Sequence, residues 1–276
     1  MVSPQIYQDS IGEGADSMTS TPDGSPSRLK PVKWYRDLLK IKGRIEKGVF
    51  LIEGDRAIAQ VIGNHPDAVL EILTVEEPDR TYRNFATRSI TGSQLRSISS
   101  AKTPQGTIAV VRIPVGTYSE VLPEKTGDRL LLLEDIQDPG NTGTLIRTAA
   151  AFGFSGIIMT DKCADPFSPK CVQATAGAGL SVWIRRTGRY MDMAKELLQR
   201  GFALAAADLD GTDDPSVLSR NDKLVLALGN EASGMSAMLF NSATIHVKVP
   251  IARDKIDSLN VAACGAICMY LASRIT

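Results

Sequence analysis

The sequence predicts an α/β protein with a mostly parallel sheet and helices on both faces, and three observations favour this class. Apolar runs without alternation, such as Leu130–Glu134 and Leu224–Leu228, are typical of strands buried on both faces of a parallel sheet. Amphipathic helical patterns, such as Met191–Arg200, lie between these runs. Hydrophobic residues make up 43% of the 276 residues and aromatic residues only 5%, which favours an aliphatic α/β core over an all-β one.

Composition divides the chain into four parts. Residues 1–27 are rich in Ser, Thr, Gly, Pro and Asp and are predicted to be a disordered tail. Residues 28–113 alternate helix and strand patterns and are predicted to form a small α/β domain. Residues 114–128 contain Pro and Gly and are predicted to be a linker, and residues 129–276 are predicted to form a larger α/β domain.

The elements of the two domains follow from apolar periodicity and from the Gly, Pro and Asp residues that interrupt it. In the first domain the predicted order is helix Pro31–Lys47, strand Val49–Ile52, a helix starting at Asp55, strand Val69–Val75, a short helix with Leu95 and Ile98, and strand Thr107–Ile113. In the second domain it is strand Leu130–Glu134, a helix to about Phe152, strand Gly156–Met159, helix Ser168–Ala178, strand Leu180–Ile184, helix Met191–Arg200, strand Phe202–Ala207, strand Leu224–Leu228, strand Ile245–Ile251 and helix Leu259–Arg274.

Composition also limits the compartment and the partners. No apolar run approaches the roughly 20 residues of a membrane span, and the first residues lack the layout of a secretory signal, so a cytoplasmic location without a membrane partner is expected. None of the four cysteines forms a C-x-x-C pair and only two histidines exist, so reduced, structural thiols and no metal site are expected.

The charge is unevenly distributed, although the net charge is zero. Residues 28–47 contain eight Lys or Arg residues against two acidic ones. Such a cluster is either a surface that binds phosphates or a solvated helix face, and charge alone favours neither.

Three loops, each directly after a strand, contain the unusual polar residues. They are Asp138–Gly143 with Arg147 in the following helix, Gly229–Gly234, and Pro250–Asn260. Each alone is most simply a turn or a helix N-cap. Because the carboxyl ends of parallel strands meet at one edge of a sheet, the three loops are expected to form one site. A phosphate-binding G-x-x-x-x-G-K-[ST] loop and a G-x-S-x-G nucleophile elbow are both absent from the sequence.

Three segments contain distinctive motifs, which are in chain order N-x-G-x-x-x-R-T-A from Asn141, L-G-N-E-x-x-G from Leu228 and P-I-x(6)-S-L-N-V-A from Pro250. Together they resemble the three motifs of the SpoU (TrmH-type) branch of the SPOUT RNA methyltransferases. The resemblance covers about residues 130–276, and residues 30–113 resemble the RNA-binding domain that precedes the catalytic domain in many members that modify ribosomal RNA. It implies transfer of a methyl group from S-adenosyl-L-methionine to a ribose 2′-hydroxyl in RNA, a trefoil knot and a homodimer.

The resemblance also implies the site residues. The expected catalytic set is Asn141, Arg147, Glu231, Ser258 and Asn260, and the expected cofactor-binding set is Leu228, Gly229, Asn230, Val249, Ile251 and Leu259. Because a guanidinium pKa lies above about 12, we expect Arg147 to bind the neighbouring phosphate and to stabilise the developing alkoxide. Ser258 and Asn260 are expected to orient the hydroxyl, and Glu231 to order the loops.

Ribosomal RNA is the expected substrate because of the extra N-terminal domain, and transfer RNA is the alternative. A catalytically silent RNA-binding paralogue is a second alternative, which the complete set of five polar residues disfavours. A general nucleotide-binding protein is a third, and it would leave the basic segment 28–47 unexplained. The sequence departs from the family pattern at Gln173, where an Arg is common, and at Arg253, Asp254, Lys255 and Asp257, where Gly is frequent.

Overall fold

The computed structural model describes residues 30–273, which fold into two compact units. The N-terminal unit contains the described residues up to Val115 together with Asp165–Leu180. The second unit contains Gly116–Ala164 and the described chain from Ser181 onward, and it is called the catalytic unit because the family resemblance implies that it holds the active site. The predicted tail, residues 1–27, lies outside the described residues. None of the helices between residues 30 and 273 has the length and apolar character needed to cross a membrane.

The helices and strands alternate along most of the chain. Up to residue 115 they are α1 (Val32–Asp37), α2 (Ile41–Lys47), β1 (Val49–Glu53), α3 (Asp55–Asn64), β2 (Val69–Thr74), β3 (Thr87–Ser89), α4 (Gly92–Ile98) and β4 (Thr107–Arg112). After it they are β5 (Arg129–Leu133), α5 (Pro139–Ala151), β6 (Gly156–Thr160), α6 (Pro169–Thr175), β7 (Trp183–Thr187), α7 (Tyr190–Gln199), β8 (Ala203–Ala207), β9 (Leu224–Leu228), α8 (Ala237–Ser242), β10 (Ile245–Val247) and α9 (Val261–Ala272).

A four-stranded mixed sheet forms the centre of the N-terminal unit, with the strand order β1-β4-β2-β3. Strands β1 and β2 pair antiparallel with β4, whereas β2 and β3 pair parallel. The apolar core contains Leu51, Leu73 and Val110 of the sheet together with Tyr35 of α1 and Leu95 of α4. The helices therefore cover the sheet through side chains at helical spacing, as the apolar periodicity predicts.

The segment 165–180 groups with the N-terminal unit, although its position in the sequence predicts that it belongs to the methyltransferase domain. Arg44 Nε donates to Asp165 Oδ2 at 3.0 Å, and both residues are at least nine-tenths buried. The rings of Phe50 and Phe167 pack with centroids 4.6 Å apart. Because Arg44 is buried and paired, it cannot belong to a surface that binds phosphates, although it lies in the basic segment 28–47.

The catalytic unit is built on a six-stranded parallel sheet in the order β10-β8-β9-β5-β6-β7. The side chains of Leu130–Leu133 are completely buried, because this central strand is covered on both faces. Helix α9 packs closely on α5 and β9 at Gly265, where an added Cβ would lie 2.6 Å from Leu145 and 2.7 Å from Leu228. The predicted α/β class, with a smaller preceding domain, is confirmed.

Several predicted elements differ in their bounds. The predicted helix 31–47 is two helices, because Lys40 is extended, and the predicted helix 168–178 ends at Thr175, because Ala176 is left-handed with φ 50°. The predicted strand 180–184 starts at Trp183, and the predicted strand 245–251 ends at Val247. The predicted linker is ordered on the catalytic unit: Leu122 belongs to its apolar core, and Arg185 Nε donates to the Val121 carbonyl at 2.9 Å.

Candidate active site

The three polar loops identified in the sequence follow β5, β9 and β10 at the carboxyl edge of the parallel sheet. Strands β5 and β9 are neighbours, so the first two loops start side by side. The first loop leads into α5, whose N-cap Asp138 accepts a hydrogen bond from the backbone N–H of Asn141 at 2.8 Å. An Asp N-cap followed by Pro139 is a common start of a helix, and it fixes Asn141 in the first turn.

Hydrogen bonds between side chains join the three loops. Asn141 Nδ2 donates to Glu231 Oε1 at 2.7 Å, and Asn260 Nδ2 donates to Asn141 Oδ1 at 3.0 Å. Asn260 is also the N-cap of α9, since its Oδ1 accepts from the backbone N–H groups of Ala262 and Ala263. These contacts bring together residues 90 and 119 positions apart in the chain, one from each motif.

The second loop is a tight turn closed by its own backbone. The Asn230 N–H donates to the Gly234 carbonyl, and the Gly234 N–H donates to the Asn230 carbonyl, both at 3.0 Å. Asn230 Oδ1 accepts from the backbone N–H groups of Ala232 at 2.9 Å and Ser233 at 3.0 Å. A Cβ at Gly229 would lie 2.5 Å from the backbone of Gly234, so the turn requires glycine there.

A cavity of about 340 Å³ lies between the second and third loops. Its walls include all six residues predicted to bind the cofactor: Leu228, Gly229, Asn230, Val249, Ile251 and Leu259. Glu231 and Ser258 also line it. The cavity wall contains the carboxylates of Asp208, Glu231 and Asp257, and the described residues contribute no Lys or Arg to it. Its charge therefore suits a cationic ligand with an apolar portion.

The predicted catalytic residues do not all meet in one chain. Asn141, Glu231 and Asn260 form the hydrogen-bonded group, and Ser258 lies at the cavity wall. Arg147 is exposed on α5 and is not among the described residues that line the cavity. No hydrogen bond or ion pair of its guanidinium to another described residue occurs, so within one chain it faces solvent.

Three residues close to this site have no recognisable signal in the sequence. Glu134 and Asp135 follow β5; Asp135 contacts Asn230 of the second loop, and Glu134 contacts Ser236 two residues after that loop. Cys264, for which the sequence predicts core packing, lines the cavity, and its hydrogen bond with buried Cys268 lowers the pKa of the Cys264 thiol. The apolar spacing of the last helix predicts a core position for Cys264 but gives no information about a cavity beside it.

Comparison with known proteins identifies the family. The model of the SpoU rRNA methylase family matches residues 128–270. The chain belongs to this family. Relatives of this chain include an uncharacterized tRNA/rRNA methyltransferase, slr1673, of Synechocystis, which is 30% identical over 251 residues, covering 88% of this chain and 90% of the relative. They also include the 23S rRNA (guanosine(2553)-2′-O)-methyltransferase RlmP of Bacillus subtilis, which is 29% identical, covering 88% and 96%.

A solved SpoU methyltransferase has the same fold over both units. AviRb of Streptomyces viridochromogenes, crystallised with AdoMet (S-adenosyl-L-methionine), superposes with a TM-score of 0.76 at 25% identity, covering 89% of this chain and 97% of AviRb. The predictions of a SpoU-type RNA ribose 2′-O-methyltransferase and of its preceding domain are confirmed. The predicted cofactor, AdoMet, is bound in AviRb.

Proposed function

We propose that this SpoU-family chain methylates a ribose 2′-hydroxyl in ribosomal RNA with AdoMet as the methyl donor. One observation carries the proposal: Asn141, Glu231 and Asn260, one from each motif, are hydrogen-bonded together beside the cavity. A silent paralogue would not need this geometry, since RNA binding alone does not require the first loop to be hydrogen-bonded to Glu231 in the wall of a cofactor-sized cavity.

The residues around the cavity fit AdoMet. Apolar walls from Leu228, Val249, Ile251 and Leu259 suit an adenine ring, and the close turn at Gly229 leaves backbone groups at the surface. The three wall carboxylates suit the positive charge of the sulfonium and the ammonium. When bound, AdoMet supplies a methyl group that is already activated by its sulfonium, so the protein mainly has to align the reacting groups.

The remaining polar residues are assigned to the 2′-hydroxyl. Ser258, whose side chain is exposed at the cavity wall, and Asn260, which the Asn141 amide holds, would orient the hydroxyl. Glu231 accepts from Asn141 and so keeps the second loop against the first. The Arg147 guanidinium would bind the adjacent phosphate and stabilise negative charge on the 2′-oxygen as the hydroxyl proton passes to solvent water.

We propose a homodimer in which Arg147 completes the site of the partner subunit. Arg147 is exposed and is not among the described residues that line its own cavity, as stated above. Helix α9 next to α5 exposes apolar surface, with Tyr270 64% and Ile267 39% exposed, and Tyr270 packs on Phe152 at the end of α5. An apolar helix face beside an unpaired active-site cation supports burial of this face against a second copy.

We also propose the trefoil knot that the family resemblance implies. Its support is the order of the sheet, in which β9 lies between β8 and β5 while the last helix returns to pack on α5 and β9. A cytoplasmic location stays a prediction from the sequence.

The N-terminal unit is assigned to RNA binding. Lys33 and Lys40 are exposed there and no ion pair of theirs to another described residue occurs, whereas Lys42 and Lys47 pair with Glu46 and Asp37. Exposed cations without an ion pair to a described residue, Lys33 and Lys40 among them, are therefore the candidate phosphate contacts, rather than the whole segment 28–47. Replacing both with Ala should weaken RNA binding and reduce its salt dependence, with no effect on AdoMet affinity.

The decisive experiment is methyl transfer from labelled AdoMet to total cellular RNA that lacks the modification, followed by nucleoside analysis. A 2′-O-methyl nucleoside in one rRNA fragment would support the proposal, and one in tRNA would move the substrate to the alternative. Arg147→Ala should abolish transfer and leave AdoMet binding intact. If Arg147→Ala lost both methyl transfer and AdoMet binding, the role given to Arg147 would be contradicted.

A further inference from the structure

A buried carboxylate without a role in the proposed chemistry lies next to the second loop. Glu134 follows β5, is 7% exposed and is not among the residues that line the cavity. Its Oε2 accepts a hydrogen bond from the backbone N–H of Ser236 at 2.7 Å, and its Oε1 accepts one from the hydroxyl of Tyr190. Burial and this hydrogen bond raise the pKa of Tyr190 to about 12, so its hydroxyl is a donor at neutral pH.

The next residue, Asp135, contacts the opposite end of the same loop. Its carbonyl accepts from Asn230 Nδ2 at 2.8 Å. Asp135 has φ 56°, a backbone conformation that residues other than glycine rarely adopt. Thr160 holds it there, because its Oγ1 accepts from the Asp135 N–H at 3.0 Å and donates to Asp135 Oδ1 at 2.7 Å. The left-handed turn directs the carbonyl of Asp135 to Asn230 while the side chain of Glu134 reaches Ser236.

The chain between these two contacts forms much of the cavity wall. Asn230, Glu231, Ala232, Gly234 and Met235 all line the cavity. The backbone N–H of Glu134 also donates to the Leu228 carbonyl at 2.9 Å, which continues the sheet pairing up to the start of the loop. Glu134 and Asp135 therefore hold this segment at its start, at Asn230 and at Ser236, whereas residues 231–234 between these contacts are exposed and Met235 is partly buried.

We propose that Glu134 and Asp135 are positioning residues that form a clamp on the second loop and set the affinity for AdoMet. The proposal rests on the function proposed above, since it takes the cavity to be the AdoMet site. Glu134 acts through the loop and does not touch the ligand. AdoMet binds only to molecules whose loop is in the binding conformation. If the clamp is lost, fewer molecules have this conformation, and the apparent Kd rises in proportion to that loss.

The first test is AdoMet binding to full-length Glu134 variants by calorimetry. Glu134→Leu removes both acceptors, and we expect its Kd to rise at least about tenfold, which corresponds to about 1.4 kcal/mol. Glu134→Gln should stay within about twofold of the wild type. Its remaining carbonyl oxygen can accept from Ser236, while its amide can donate to the Tyr190 oxygen.

A matched control separates loop positioning from general stability. Glu71, in the N-terminal unit, also accepts from a tyrosine hydroxyl, that of Tyr35 at 3.0 Å, and pairs with Arg88 at 2.7 Å. Glu71→Leu should lower the melting temperature and leave the Kd for AdoMet unchanged. If Glu71→Leu weakened AdoMet binding as much as Glu134→Leu, or if Glu134→Leu bound like the wild type, the clamp would be refuted.

A second pair of variants tests the same bond without altering the buried carboxylate. Ser236 has φ −62°, which proline adopts, so Ser236→Pro removes the N–H that Glu134 accepts. Ser236→Ala keeps that N–H, and both variants lose the side-chain cap of α8. We expect only the proline variant to raise the Kd; equal values for the two would overturn the proposal. Failure of the wild-type chain to bind AdoMet would instead refute the proposed function, and the clamp with it.

Discussion

Replacing Gly229 with alanine tests whether AdoMet binding requires the close backbone approach within the second loop. An added Cβ would lie 2.5 Å from the carbonyl carbon of Gly234 and 2.5 Å from the nitrogen of Met235, whereas ordinary contacts begin at 3.4 Å. In Gly229→Ala the two sides of the turn must therefore separate by about 1 Å. Because both opposing atoms belong to the backbone, a rotamer change cannot relieve the contact, and overpacking of this kind costs about 1–3 kcal/mol.

We expect this cost to appear mainly as weaker AdoMet binding. The turn forms the cavity wall and is exposed on its outer side, so it can relax in the free protein but has to return to bind. A cost of about 1–3 kcal/mol corresponds to a Kd raised roughly 5- to 150-fold. Calorimetry with AdoMet measures the Kd, and urea unfolding measures the free energy of unfolding.

Gly63→Ala is the matched control for Gly229→Ala. Gly63 lies in α3, and a Cβ there meets nothing within 4 Å. This change should leave AdoMet binding unaffected and stabilise the protein by about 0.5–1 kcal/mol, since alanine is the better helix former. A Gly229→Ala protein that binds AdoMet with wild-type affinity would show that the close approach at this turn is not required for the site.

Three further predictions concern other parts of the chain. Arg44→Met should destabilise the protein by about 3–5 kcal/mol in urea unfolding, because it leaves Asp165 buried without its partner; a change below about 1 kcal/mol would contradict a structural role for the pair. Burial and the hydrogen bond to Glu134 raise the pKa of Tyr190 from 10.0 to about 12. The contribution of this shift to the free energy of unfolding is therefore fully present below pH 10 and decreases as the pH rises toward 12. Tyr190→Phe should therefore show a shallower loss of stability between about pH 9 and 11 than the wild type, and an equal slope would argue against the assignment. Arg253 Nη2 donates to the Leu209 carbonyl at 2.6 Å and so joins the third loop to another wall of the cavity. Arg253→Ala should speed AdoMet dissociation about fivefold in stopped-flow measurements, as expected for one net hydrogen bond, whereas Lys255→Ala should not.

The sequence was sufficient to predict the sheet edge and most of the site. Parallel strands place their carboxyl ends together, so the polar loops after Leu133, Leu228 and Val247 were expected at one edge of the sheet once the apolar runs were assigned. The order of the strands along that edge, with β8 between β10 and β9, could not be predicted in this way. The resemblance to the family motifs then implied that Asn141, Glu231 and Asn260 belong to one group before any contact was known. The three-residue strand Thr87–Ser89 was missed because its residues are polar and its length is below that of a recognisable alternating pattern.

Other features depend on tertiary contacts that local pattern does not encode. Arg44 has the same sequence environment as its exposed basic neighbours, and its burial depends on Asp165, 121 residues away. The left-handed conformation of Asp135 depends on Thr160, 25 residues away, so Asp135 was assigned no special role. Arg147 was grouped with the other catalytic residues by motif, but motif spacing does not indicate which chain's cavity a side chain faces.

The assignment of residues 165–180 to the N-terminal unit has a consequence for synthesis of the protein. A ribosome completes the chain up to Val115 well before it reaches Asp165, so the nascent unit initially has Arg44 without its buried acceptor and Phe50 without the ring of Phe167. Domains synthesised first usually fold first, but here the N-terminal unit cannot complete its fold until residues 165–180 have been synthesised. A shortened chain that ends in the predicted linker would therefore lack part of the N-terminal fold.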